Sequence, residues 1–117
     1  MRLEVFVPGP IVGLNQTYKT GRGRFYKSAE ATSWASAAAL IIGAEAGEAS
    51  WFDGGGDFSL SLTLSRIRHD IDAPLKLVQD VLADKLGFDD ERISFVGLAR
   101  KDLGRQGLLV VLEELED

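Results

Sequence analysis

Apolar and polar residues alternate at both ends of the first half of this chain. Leu3, Val5 and Val7 fall on one side of residues 2–7, with Arg2, Glu4 and Phe6 on the other. A period of two predicts a strand. "VPGP" ends it, since proline has no N–H to give to a ladder. Phe58, Leu60, Leu62 and Leu64 alternate with Ser59, Ser61, Thr63 and Ser65, which predicts a second strand over 58–67. Between them, Trp34, Ala38 and Ile41 recur at helical spacing in an alanine-rich run. A helix is predicted from a Ser28 cap to about Gly47, with Glu30 in its first turn.

Leu75, Val78, Leu82 and Leu86 place a second helix over 73–86, stopped by Gly87. Residues 93–99 and 107–113 read as closing strands joined by "RKDLGRQG". Residues 11–27 are glycine-rich and without period, and read as a long loop of the kind that is usually functional or mobile. The prediction is one domain over 1–117 of class α/β (α+β). It has a single mixed sheet of about four strands with two helices, in the order β-α-β-α-β-β. A chain of 117 residues, 45% hydrophobic and 26% charged, can bury a core in that arrangement.

Composition narrows the chemistry. There is no cysteine, which removes disulfides and thiolate metal sites and fits a reducing, cytoplasmic setting. A single histidine puts a multi-histidine zinc site out of reach within one chain. No segment is long and apolar enough to span a membrane, and the short apolar run of "MRLEVFVPGP" reads as a strand rather than a signal peptide. The net charge of -5 argues against general nucleic-acid binding, which draws on Lys and Arg. The charge is unevenly spread, however. Lys19, Arg22, Arg24 and Lys27 stand against Glu30 alone between Asn15 and Ser33, and "EELED" gathers acid at the other end.

Two acidic motifs then stand out. "HDIDAPLKLVQD" holds Asp70, Asp72, Lys76 and Asp80, and "GFDDERI" holds Asp89 and Asp90. If the strand persists, Asp70 and Asp72 point to one face. Two carboxylates there repel each other unless a hard divalent cation sits between them. Lys76 would lie in the first turn of the next helix, where an ammonium can hold a phosphate, and Asp80, one turn on, would steer it. Asp89 or Asp90 would complete the cage. These are parts for metal-assisted phosphodiester hydrolysis. A structural reading competes. Asp72 before Ala73-Pro74 suits a helix cap, Asp89 and Asp90 suit a turn, and Lys76 with Asp80 suits a surface pair. In the loop, "GRGRFYK" lacks the glycine spacing and Lys-Ser/Thr ending of a P-loop, and reads either as solvated or as a contact for a phosphate backbone.

Taken in order, "VPGP", Asn15, Tyr18, "RGRFYKSAE", "DIDAPLKLVQDVL" and "GFDDERI" resemble the RusA-like Holliday junction resolvases, small endodeoxyribonucleases of phages and prophages. The resemblance covers nearly the whole chain. It implies a homodimeric mixed α/β nuclease of DNA recombination and repair, cutting four-way junctions and other branched DNA with Mg²⁺ (or Mn²⁺). It implies catalytic acids and metal ligands at Asp70, Asp72 and Asp90, and a catalytic-site lysine at Lys76. Asn15, Lys19, Arg22, Arg24 and Lys27 would line the DNA path. A two-fold junction needs two symmetric cuts, which suits a dimer. One position departs from the pattern. The family usually has asparagine after the second aspartate, where this chain has Ala73 and then Pro74. Loss of an orienting amide gives the alternative expectation, a weak or inactive junction-binding protein of the same fold.

Overall fold

In a computed structural model of the chain, the described residues are 2–10, 18–21, 24–27, 29–47, 56–68 and 70–115, with 18–21 and 24–27 described by backbone alone. The elements are β1 (Arg2–Pro8), β2 (Tyr18–Gly21), β3 (Arg24–Lys27), α1 (Ala29–Ala46), β4 (Phe58–Ser65), α2 (Leu75–Leu86), a 3-10 turn (Asp90–Arg92), β5 (Ile93–Arg100) and β6 (Gly107–Glu114). The main sheet has the order β1-β6-β4-β5. Strands β1 and β4 both pair antiparallel with β6, and β5 lies parallel to β4 on the edge.

This is the predicted mixed sheet with two helices. One element is additional: β2 and β3 pair antiparallel inside the segment expected to be a loop. Residues 18–21 and 24–27 show no clean apolar alternation, so a period-based reading has nothing to register there.

The alternation along β1 and β4 becomes the core. Leu3, Val5, Val7, Phe58, Leu60, Leu62 and Leu64 are buried with Leu108, Val110 and Leu112 of β6. They pack against Ala31, Trp34, Ala38 and Ile42 of α1 and Leu77, Val78, Val81, Leu82 and Leu86 of α2. Trp34 is thus a core residue, as its spacing predicts. Both helices cover one face of the sheet.

The other face is the less buried one. Along it run Ser59, Ser61 and Thr63 of β4, Leu109 and Val111 of β6, and Phe95, Gly97 and Ala99 of β5, each either exposed or half-buried. Phe95 is 68% exposed.

Helix α2 carries the chain from the end of β4 back to the start of β5, the crossover that a parallel pair requires. It ends at Gly87, whose left-handed backbone (φ 75°) lets its N–H reach the Ala83 carbonyl at 2.9 Å. Its start is two residues later than expected. Pro74 takes the N-cap place, and no side chain caps the helix. Proline's restricted φ, here -84°, suits entry into a helix.

Candidate functional site

Strand β4 ends at Ser65 because Arg66 turns into the left-handed region, φ 56°. Few residues other than glycine adopt that conformation, and it persists only where neighbours hold it. Here they do. The Arg66 guanidinium Nε donates to Asp102 Oδ1 at 2.9 Å, and Gln106 Nε2 donates to the Arg66 carbonyl at 3.3 Å. Beside it, fully buried Ser65 ties the same two segments. Its hydroxyl donates to the Arg105 carbonyl at 2.6 Å and accepts from the Leu103 N–H at 2.9 Å. The exit of β4 is thereby latched onto the β5–β6 turn. Asp102 also accepts from the Gly104 N–H at 2.8 Å. That N–H, and then the Arg66 guanidinium, hold its carboxyl below the usual aspartate range.

The candidate acids follow this latch. Residues 71–74 form a tight turn, in which the Ala73 N–H donates to the Asp70 carbonyl at 3.0 Å and the Leu75 N–H to the Asp72 carbonyl at 3.1 Å. The extended backbone that would alternate Asp70 and Asp72 onto one face has therefore ended before Asp70. Both aspartates are exposed. The cap expected of the Asp72 side chain is absent, so its carboxylate is not committed to the helix. Ala73 is buried beneath the turn.

Lys76 is the second residue of α2, and its Nζ lies 3.7 Å from Asp80 Oδ2, the expected pairing one helical turn apart. Lys76 is 61% exposed, so this pair adds little to stability. Asp70, Asp72 and Lys76 thus share one short segment at the carboxyl end of β4.

Asp90 does not join them within the chain. Asp89 caps the 3-10 turn, its Oδ1 accepting from the Glu91 N–H at 3.0 Å. Arg92, two residues beyond Asp90, lies 4.6 Å from the ring centre of Phe58, the first residue of β4, and donates to the Gly56 carbonyl at 2.6 Å. Register agrees, because Phe58 pairs with Ile93 and Leu64 with Arg100. Asp70 therefore follows the end of β4 while Asp90 stands beside its beginning, and an eight-residue strand is roughly 25 Å long.

Among the described residues no three Asp, Glu or His side chains come together closely enough to hold a metal ion. A cage of Asp70, Asp72 and Asp90 from one chain is not what this fold builds. The chemistry of Asp70 and Asp72 alone still suits Mg²⁺, which takes one or two carboxylates with water and phosphate oxygens.

Of the expected DNA-path residues, Lys19, Arg24 and Lys27 lie on the β2–β3 hairpin, while Asn15 and Arg22 lie outside the described residues. Reading the sequence overlooked a second basic group. Arg66, Arg68, Arg100 and Lys101 line a cleft of about 700 Å³ together with Asp70 and Asp102. The signal was in "RIRHD" and "ARKD", two basic clusters that the parallel pairing of β4 and β5 places side by side. Comparison with protein-family models and with curated proteins finds no match for this chain.

Proposed function

We propose that the protein is a Mg²⁺-dependent, structure-specific endodeoxyribonuclease acting on four-way junctions and other branched DNA, and that it works as a homodimer. The observation that carries the reading is the segment from Asp70 to Lys76. Two exposed carboxylates at a tight turn and an exposed ammonium in the first turn of the helix that follows stand beside a basic cleft at the carboxyl ends of parallel strands. Open α/β sheets bind their ligands in that crevice. The resemblance to the RusA-like resolvases supplies the substrate class.

The separation of Asp90 from Asp70 and Asp72 supports a site shared between two subunits. Asp90 of the partner subunit completes the acidic set around Asp70 and Asp72. A two-fold pairing that runs the sheets in opposite directions brings opposite strand ends together. The less buried face with Phe95, Ala99 and the β4 serines is the surface on which such sheets would stack. Bound there, Mg²⁺ would activate water and balance charge on the phosphate. Lys76 holds a phosphate oxygen through its ammonium, oriented by Asp80, and Asp70 and Asp72 supply oxygen donors.

The test is cleavage of an end-labelled four-way junction with and without Mg²⁺. Paired symmetric cuts by the parent, lost in Asp70→Asn and in Asp72→Asn while junction binding survives, are expected. An Asp70→Asn protein that cuts as well as the parent would end the proposal. A second reading, a non-cleaving junction binder, is favoured by Ala73: its methyl side chain is buried and offers no amide to orient a carboxylate. That reading predicts salt-sensitive junction binding with no product at any Mg²⁺ concentration.

A further inference from the structure

We propose that the cleft between the β4 exit and the start of the β5–β6 turn is a binding subsite for a strand phosphate, held by Arg68 and Lys101 and leading the strand to Asp70. The inference rests on the nucleic-acid reading above and assigns it a surface distinct from the β2–β3 hairpin.

Three observations carry it. The first is charge. In a chain of net charge -5, this cleft gathers four cations, Arg66, Arg68, Arg100 and Lys101, against two carboxylates, Asp70 and Asp102. Such concentration in a concave wall focuses positive potential and attracts polyanions. The second is that the cleft is built. Ser65 and the Arg66–Asp102 pair clamp its two walls together, and the Arg100 guanidinium donates to the Ile67 carbonyl. The Lys101 N–H donates to the Leu64 carbonyl at 3.0 Å, continuing the β4–β5 ladder one residue past the end of β5. Arg66 and Arg100 shape the walls, which leaves the exposed Arg68 and Lys101 at the mouth to meet a ligand. The third is continuity. Asp70 lines the same cleft, so a phosphate held at the mouth lies next to the acidic turn. Arginine matches a phosphate with two parallel N–H donors and lysine with a point charge, so the pair suits a phosphodiester.

The test is fluorescence-anisotropy titration of a labelled four-way junction across a salt series in EDTA, where cleavage plays no part. Arg68→Ala with Lys101→Ala is expected to lower junction affinity on the order of tenfold at low salt and to flatten the slope of log K against log salt by about 1.8, one phosphate contact in each of the dimer's two clefts. The charge-retaining pair Arg68→Lys with Lys101→Arg is expected to bind as the parent does. The assignment is overturned if the first pair keeps the parent's affinity and slope, or if the charge-retaining pair loses as much as the alanine pair. Displacement of the junction by inorganic phosphate at equal phosphate concentration would overturn the strand as occupant. The nuclease reading fails by a different result, an uncut junction in Mg²⁺, which these titrations do not touch.

Discussion

Replacing Ser65 with alanine tests whether the latch at the end of β4 holds the cleft together. The Ser65 hydroxyl is fully buried and makes two short hydrogen bonds across 38 and 40 residues of sequence. Alanine removes one oxygen and leaves almost no void, so the cost is polar rather than a cavity term. Two net hydrogen bonds are lost, and the Leu103 N–H and Arg105 carbonyl lose their protein partner. Together these come to about 2 kcal/mol. At a urea slope of about 2 kcal/mol per M for a domain of this size, the unfolding midpoint falls by about 1 M with the slope unchanged. Ser33→Ala, exposed on α1, is the matched control and stays within about 0.5 kcal/mol. Hydrogen exchange at the Leu103 amide localises the effect, because that N–H opens first when its acceptor is gone. A loss below about 0.5 kcal/mol in Ser65→Ala, with Leu103 exchange unchanged, would refute the reasoning. The order of the cleft walls would then have to come from the Arg66 contacts alone.

Gly107→Ala is expected to destabilise by at least about 2 kcal/mol in the same urea assay. A Cβ there would lie 2.5 Å from both the Phe6 ring and the Val7 carbonyl oxygen, and the carbonyl belongs to the β1–β6 ladder and cannot move aside. A loss under 0.5 kcal/mol would contradict that crowding. Acid unfolding should report Asp102. Its folded-state value is depressed, so its stabilisation is present above the ordinary aspartate value of 3.8 and is lost as pH falls through the depressed value. The stability gap between parent and Asp102→Asn should therefore be widest toward neutral pH and close at the acid end. A gap that stays constant through acid titration would contradict the pairing.

The strands and helices that make the core were legible because each repeats a pattern with a fixed period. The Phe58–Leu64 alternation is one of the two inner strands of the sheet, and Gly87 stops α2 as its position predicts. The β2–β3 hairpin was not legible, since its residues carry no apolar alternation. The site was legible only where it is local. Lys76 and Asp80 sit one helical turn apart, and their pairing follows from α-helix geometry alone. The alignment of Asp70 with Asp72 failed because it assumed that β4 continues past Ser65. What ends β4 is a left-handed Arg66 held by residues almost 40 positions away, which no local pattern announces. The distance from Asp70 to Asp90 was hidden for a related reason. It depends on α2 crossing back along the sheet, so that β5 starts where β4 starts. The cleft pairing "RIRHD" with "ARKD" follows from the same crossover.

Mixing two damaged proteins addresses the shared acidic site most directly. Asp70→Asn and Asp90→Asn chains, each inactive as its own dimer, are co-refolded and given a labelled four-way junction with Mg²⁺. If each site draws Asp70 from one subunit and Asp90 from the other, the mixed dimer holds one intact site and one doubly damaged site. Cleavage returns, as single nicks rather than paired cuts. If mixing restores no product, or if Asp90→Asn alone cuts as the parent does, the two-subunit site is contradicted.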